Sequence, residues 1–271
     1  MKTNKIIMLL VLASLVMTLF SCGGASVYGR YDDFDKYTMG GGETDASISE
    51  IEIGWLSGEI KILPTDDEKI SFSEECDDKT DEKTTMYHRV DGGTLYIHFA
   101  ASNAGRIHIY EKALTVLVPR DMLVSLDVST VSASLTVDGV NAREIEVESV
   151  SANVDISGAD NVTDLSLSGV SGELSFDGKV SGKVDIETVS GGVDLVLSAS
   201  PREIEAESIS ANVEVTLPGG TGVTAELDTT SGSFRSSADY ARSGDKYVIG
   251  DGALRIECDT VSGNLKVDFF K

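Results

Sequence analysis

The sequence predicts an all-β protein: a single-stranded β-helix, or β-solenoid, of coils about twenty residues long. Two patterns carry that expectation. The first is a Val-Ser-Ala or Val-Ser-Gly tripeptide that recurs at Val131, Val150, Val170, Val189 and Val261, with variants at Ile209 and Thr230. Its serines, from Ser132 to Ser262, are spaced by 19, 20, 19, 20, 21 and 31 residues. The second is apolar–polar alternation on both sides of each tripeptide, as in Leu126 and Val128 before Ser132, then Leu135 and Val137 after it. Period-two alternation marks a half-buried strand. One strand–corner–strand unit cannot bury its apolar face alone, whereas equal units stacked at about 4.8 Å can. Glycine at the corner permits backbone angles that other residues avoid, and serine there suits a hydroxyl ladder along the stack. A β-sandwich of hairpins shares the turn spacing but does not require equal coil lengths, so it stands as the alternative.

The elements follow in order. Lys2 and Lys5 precede an apolar run from Ile6 to Phe20, which ends in Leu19-Phe20-Ser21-Cys22-Gly23. A cationic start, a short apolar run and small residues at the cut form a secretory signal, too short for a comfortable membrane span. The segment resembles a bacterial lipobox, which implies cleavage before Cys22 and acylation of its thiol. Residues 1–21 are thus expected to be a lipoprotein signal peptide. Residues 22–46, rich in Gly, Tyr and Asp with Gly40-Gly41-Gly42 near the end, read as a flexible tether behind lipidated Cys22. Residues 47–271 are the expected solenoid. An early corner sits at Leu56-Ser57-Gly58. The interval from Ser57 to Ser132 is close to four coil lengths, so degenerate coils are expected to run through it. The interval from Ser233 to Ala253 holds an insertion, with Tyr247 to Gly252 as a hairpin arm.

The tandem Val-Ser-Gly coils are similar to those of the bacterial putative-adhesin family of envelope proteins. So is the ending Ile249-Gly250-Asp251-Gly252, followed by Thr260-Val261-Ser262-Gly263-Asn264-Leu265. The resemblance runs from about Ser47 to Phe269. It implies a solenoid-like all-β domain on the cell envelope, often carried by lipoproteins, and brings no catalytic motif.

Composition limits the function classes. The formal net charge is −23, from 22 basic and 45 acidic residues. That excludes nucleic acid or anionic lipid held through a basic face, since phosphate contacts need clustered Lys and Arg. Membrane contact is therefore expected through the lipid anchor alone.

Three constellations are candidates for chemistry. His88, His98 and His108 lie on alternating strands. Hairpins about Asp91-Gly92-Gly93 and Asn103 would bring all three to one face, where imidazoles can bind zinc or copper; an exposed cross-strand polar face, with Ile97, Phe99, Ile107 and Ile109 inside, is the favoured reading. A one-residue register slip removes His88 from that face. Outward carboxylates at Glu146, Glu148, Asp185, Glu187, Glu203, Glu205 and Glu207 form stacked rows that offer oxygen ligands to Ca2+. No Ca2+-loop motif accompanies them, so a solvated, aggregation-resistant surface is the favoured reading and no cofactor is expected. Acidic runs at Asp66 to Glu68, Glu74 to Asp78 and Asp81-Glu82 read as solvated. A carbohydrate-active enzyme would need two carboxyls in a cleft, and the turns are too short to build walls. Cys76 and Cys258 are candidates for a disulfide, with a buried free thiol the default for Cys258. Trp55 suits either cap packing or sugar stacking.

The expectation is a non-enzymatic, lipid-anchored envelope module that displays a rigid rod to a protein or glycan, at the outer membrane or cell surface. An envelope-stress or regulatory accessory and a carbohydrate-active enzyme are the alternatives.

Overall fold

A computed structural model describes residues 31–45, 47–102, 104 and 111–270. The expected signal peptide, Cys22 and His108 lie outside the described residues. The described residues form two sheets, of 13 and 11 strands, that share one interior. Nine strands of each sheet pair in parallel, and successive segments alternate between sheets, so the chain winds as nine flattened rungs. The β-solenoid is therefore the fold. Antiparallel hairpins joining two layers, the sandwich alternative, would not give these parallel ladders.

Numbered along the stack, rung 1 is Thr94–His98 with Lys112–Pro119, and rung 2 is Glu50–Trp55 with Gly58–Thr65. Rung 3 is Val124–Thr130 with Ser134–Asp138, and rung 4 is Ala142–Ser149 with Val154–Val162. Rung 5 is Asp164–Gly169 with Leu174–Val180, and rung 6 is Lys183–Thr188 with Val193–Leu197. Rung 7 is Glu203–Ser208 with Val213–Leu217. Rung 8 is Leu254–Thr260 with Leu265–Phe269, and rung 9 is Val223–Thr229 with Phe234–Ser236. The first strand of each rung belongs to the larger sheet.

Rungs 3 to 7 follow sequence order, as the near-constant period requires. Like residues stack on like: Val147 pairs with Leu167 and then Ile186, while Ile156 pairs with Phe176 and then Leu195. All six are buried to within 1%, and each contributes about 1.5–3 kcal/mol by leaving water. At the corners, the Ser132, Ser151 and Ser190 hydroxyls donate to the Leu56, Val131 and Val170 carbonyls of the preceding rung, at 3.2–3.3 Å. The serine ladder thus runs hydroxyl to carbonyl. Gly172 has φ +116°, and a Cβ there would stand 2.1 Å from the Ala152 carbonyl oxygen of the rung below. The close approach of rungs is why this corner takes glycine.

A second hydroxyl column lies two residues before the corner serines, interrupted only by Gly169 before Ser171 among the corners from Ser132 to Ser262. Thr130, Thr188, Thr260 and Thr229 accept the N–H of Ala133, Gly191, Gly263 and Gly232 at 2.8–3.1 Å. These bonds satisfy donors that the turn takes out of the ladder. The Ser/Thr recurrence two positions upstream of six of the seven corner serines from Ser132 to Ser262 is a sequence signal that the more obvious corner tripeptide masks.

Both ends depart from sequence order. Rung 1 follows rung 2 in the chain but stacks outside it, and rung 3 returns to pair with rung 2. Likewise rung 8 is last in sequence but is inserted between rungs 7 and 9. The interval from Ser57 to Ser132 therefore holds no run of degenerate coils. It holds the second strand of rung 2, all of rung 1, the first strand of rung 3, and two antiparallel strands, Ile70–Cys76 and Tyr87–Asp91, that cover the N-terminal end. The insertion before rung 8 is the hairpin Ala241–Ser243 with Lys246–Ile249, antiparallel on rung 9.

The expected tether is structured from Tyr31 onward. Thr38–Met39 pair with Tyr87–His88 at the edge of the larger sheet, and Gly42–Thr44 pair with Ile70–Phe72 at the edge of the smaller one. Between them Gly40-Gly41-Gly42 crosses the open end. A Cβ at Gly41 would stand 2.5 Å from the Phe72 carbonyl oxygen, so the glycines permit close packing where a flexible linker was expected. Among the described residues no helix is long and apolar enough to cross a membrane.

Candidate functional site

The larger sheet turns an acidic face to solvent. Its alternate outward positions stack in register, so one column reads Glu52, Asp127, Glu146, Ser166, Asp185, Glu205, Glu257 and Glu226 from rung 2 to rung 9. A flanking column holds Glu148, Ser168, Glu187 and Glu207 on rungs 4 to 7. Adjacent rungs are about 4.8 Å apart, so the carboxylates repel one another. Burial, with the Glu146, Glu52, Glu148 and Glu50 charges around it, pushes the Asp127 carboxyl up to about 6. Burial raises Glu52 and Glu187 as well, helped by Glu50 and by Asp185 respectively. Lys183 relieves one step of the wall: its Nζ lies 2.9 Å from Asp185 and 2.8 Å from Glu205.

A shallow groove of about 300 Å³ runs across rungs 2 to 6 of this face, lined in part by Glu50, Asp127, Glu146 and Asp185. Its carboxylates stand side by side on one surface and do not face each other across a cleft. Such a wall attracts cations and repels polyanions, and it keeps the Asp127 carboxyl protonated up to about pH 6. Among the described residues no three His, Cys, Asp or Glu side chains converge to hold a metal ion, so the stacked rows form no Ca2+ cage there. The smaller sheet differs. Its corresponding column reads Lys61, Thr136, Asp155, Ser175, Asp194, Glu214, Lys266 and Arg235, with cations at both ends.

The histidines do not assemble as expected. The Asp91-Gly92-Gly93 hairpin forms, with φ +61° and +92° at the two glycines, but its register sets Tyr87, not His88, opposite His98. The two imidazoles therefore lie on opposite faces, the one-residue slip that alternation allows. His98 stacks on the Tyr31 ring at 4.0 Å, and its Nε2 shares a 3.3 Å hydrogen bond with the Tyr37 hydroxyl. Burial holds it down at about 4, so it is neutral at physiological pH. His88 instead packs edge-on against Phe72, with Nδ1 2.7 Å from the Gly40 carbonyl.

Other sequence candidates resolve as structural. Cys76 and Cys258 are free thiols. They sit on the strand outside rung 1 and in rung 8, eight steps or about 38 Å apart along the stack, beyond any disulfide. Trp55 is fully buried at the N-terminal end, its Nε1–H donating to the Lys112 carbonyl at 3.3 Å. Glu74, from a run read as solvated, is 2.7 Å from the Lys112 ammonium, whose side chain has no exposure. That ammonium also donates to the Thr84 and Phe99 carbonyls and lies over the Phe99 and Trp55 rings. Nothing in the local sequence distinguishes Lys112 from a surface lysine.

The repeated corners and the two-sheet coil find their counterpart among known sequences, because a profile of the Toastrack DUF4097 family matches residues 48–201, more than half of the chain. The chain belongs to that family. The match covers rungs 1 to 6, and rungs 7 to 9 continue the same coil. No curated protein matches the chain. Three solved structures are similar to it at low identity. A putative cell adhesion protein from Clostridium sporogenes is 12% identical, over 85% of this chain and 100% of that one, with a TM-score of 0.34. A putative adhesin from Bacteroides fragilis is 14% identical, over 86% and 97%, with a TM-score of 0.40. A putative lipid binding protein from Parabacteroides distasonis is 14% identical, over 87% and 97%, with a TM-score of 0.38.

Proposed function

We propose that this Toastrack family member is a lipid-anchored cell-envelope module of adhesin type, a non-enzymatic rod that presents its sheet faces to a protein or glycan partner. The observation that carries the reading is the nine-rung stack, closed by antiparallel strands at its N-terminal end and by a hairpin on the larger sheet at the other, with one acidic and one mixed-charge face. Backbone ladders in every rung make such a stack stiff. The alignment of carboxylates gives it a chemically repetitive surface, suited to a partner with basic groups or to a repeating glycan. The lipobox-like sequence at Cys22 supports an anchor in the envelope. The test is a glycan and protein binding screen with the body from Gly23 onward, alongside protease shaving of intact cells. Selective binding together with surface cleavage is the expected result. A body protected from shaving, with no ligand in the screen, overturns the display role and favours a periplasm-facing accessory.

A further inference from the structure

We infer that residues 31–44 are a strap that fixes the polarity of the rod, holding its N-terminal end toward the lipid surface and leaving the C-terminal cap as the end free to reach a partner. The inference rests on the reading of Cys22 as the lipid attachment, and adds to it the direction in which the body is presented.

The strap is built from several independent contacts. The Tyr31 N–H donates to Ser102 Oγ at 3.0 Å, Ser102 Oγ donates back to the Tyr31 carbonyl at 2.9 Å, and the Tyr31 hydroxyl donates to the Ala100 carbonyl at 3.0 Å. The Tyr31 ring stacks on His98, and Phe34 packs against Tyr87 at 4.9 Å. Beyond them the strap pairs with the edges of both sheets.

This docking changes the reach of the anchor. A leash running from Cys22 to Ala46 would extend to about 80 Å and leave the body free to tumble. The docked strap leaves nine residue steps, from Cys22 to Tyr31, which span at most about 30 Å. The larger sheet has Thr38–Met39 at one edge and Ala241–Ser243 at the other. Its 13 strands extend about 58 Å at the spacing of a sheet. A leash about half that length, fixed at one end, keeps the N-terminal end near the bilayer. The acidic face is repelled from anionic headgroups and resists lying down on them.

The test uses the full-length lipidated protein with Cys76→Ser, in phosphatidylethanolamine–phosphatidylglycerol vesicles that carry an acceptor dye on the headgroups. A donor dye is placed at Val90→Cys, an exposed site near the strap, or at Ser243→Cys, on the far edge. Energy transfer is expected to be strong from position 90 and weak from position 243. A long Gly-Ser insertion after Arg30 is expected to reduce transfer from position 90 while the strap stays protected from hydrogen exchange. Joint Tyr31→Ala and Tyr37→Ala substitution is expected to abolish that protection and even out the two sites. Equal transfer from both sites in the parent protein, or no response to either change, overturns the strap. Detergent phase partition of the parent and of Cys22→Ser reads the anchor separately. A parent protein that stays in the aqueous phase removes the anchor, and the inference with it.

Discussion

The middle of the rod and its two ends obey different rules. Rungs 3 to 7 stack in sequence order over a core of aliphatic residues and a single Phe176. At the ends, rungs stack out of order and the interior fills with larger or charged groups: Trp55, Phe99, Met86 and Lys112 at one end, Phe234 and Tyr247 at the other. The reason is geometric. A middle rung has a neighbour on each side to cover its core and satisfy its backbone, whereas a terminal rung has one. An open end exposes apolar cross-section and a template for unwanted strand pairing. Here the larger sheet ends in strands of two and three residues, and the smaller in strands of three at both edges, too short to template much. Repetition is thus enough to propagate a solenoid, while ending it takes special residues.

That contrast can be broken experimentally, and the largest effect belongs to an end. Lys112→Ala leaves the Glu74 carboxylate with only the Met86 N–H and strips the Thr84 and Phe99 carbonyls of the ammonium, and is expected to cost about 3–5 kcal/mol in urea unfolding. Restoring most of that loss with Lys112→Met plus Glu74→Gln would identify the unpaired charge as its source. A cost under about 1 kcal/mol would mean that the N-terminal end does not depend on the pair. In the middle, Gly172→Ala forces a Cβ into the rung below at positive φ and is expected to cost about 2 kcal/mol. The same change at Gly192, which has open space around its Cβ, is expected to be neutral.

The two regions also oppose each other in pH dependence. Asp127, on the middle of the acidic face, is raised to about 6. Its contribution to stability is present below the unfolded carboxylate range near 3.9 and is lost as pH rises through 6. His98, at the N-terminal end, is lowered to about 4. Its contribution is present above the unfolded value near 6.5 and is lost as pH falls through 4. Between pH 4 and 6 the slopes oppose, so these two groups together leave Tm nearly flat. Asp127→Asn is expected to give a Tm that rises with pH in this window, and His98→Gln one that falls. A parallel shift of all three curves would show that neither group titrates as described. The smallest effect is at Ser149, whose hydroxyl is the one buried side-chain polar atom among the described residues without a hydrogen-bond partner. Ser149→Ala is expected to be neutral or to stabilise by about 1 kcal/mol, measured by the urea midpoint.

The coil, its corners and the identity of its inward residues were determined by the sequence alone, because period and alternation are local properties that every copy restates. The acidity of one face was equally legible, since outward positions follow from inward ones. Tertiary structure alone decided the order of the rungs at the ends, the register that parts His88 from His98, the burial of Lys112 with Glu74, and the docking of residues 31–44. Each of those depends on a pairing between segments that do not repeat. Alternation says which side of a strand faces inward, but not which strand lies beside it.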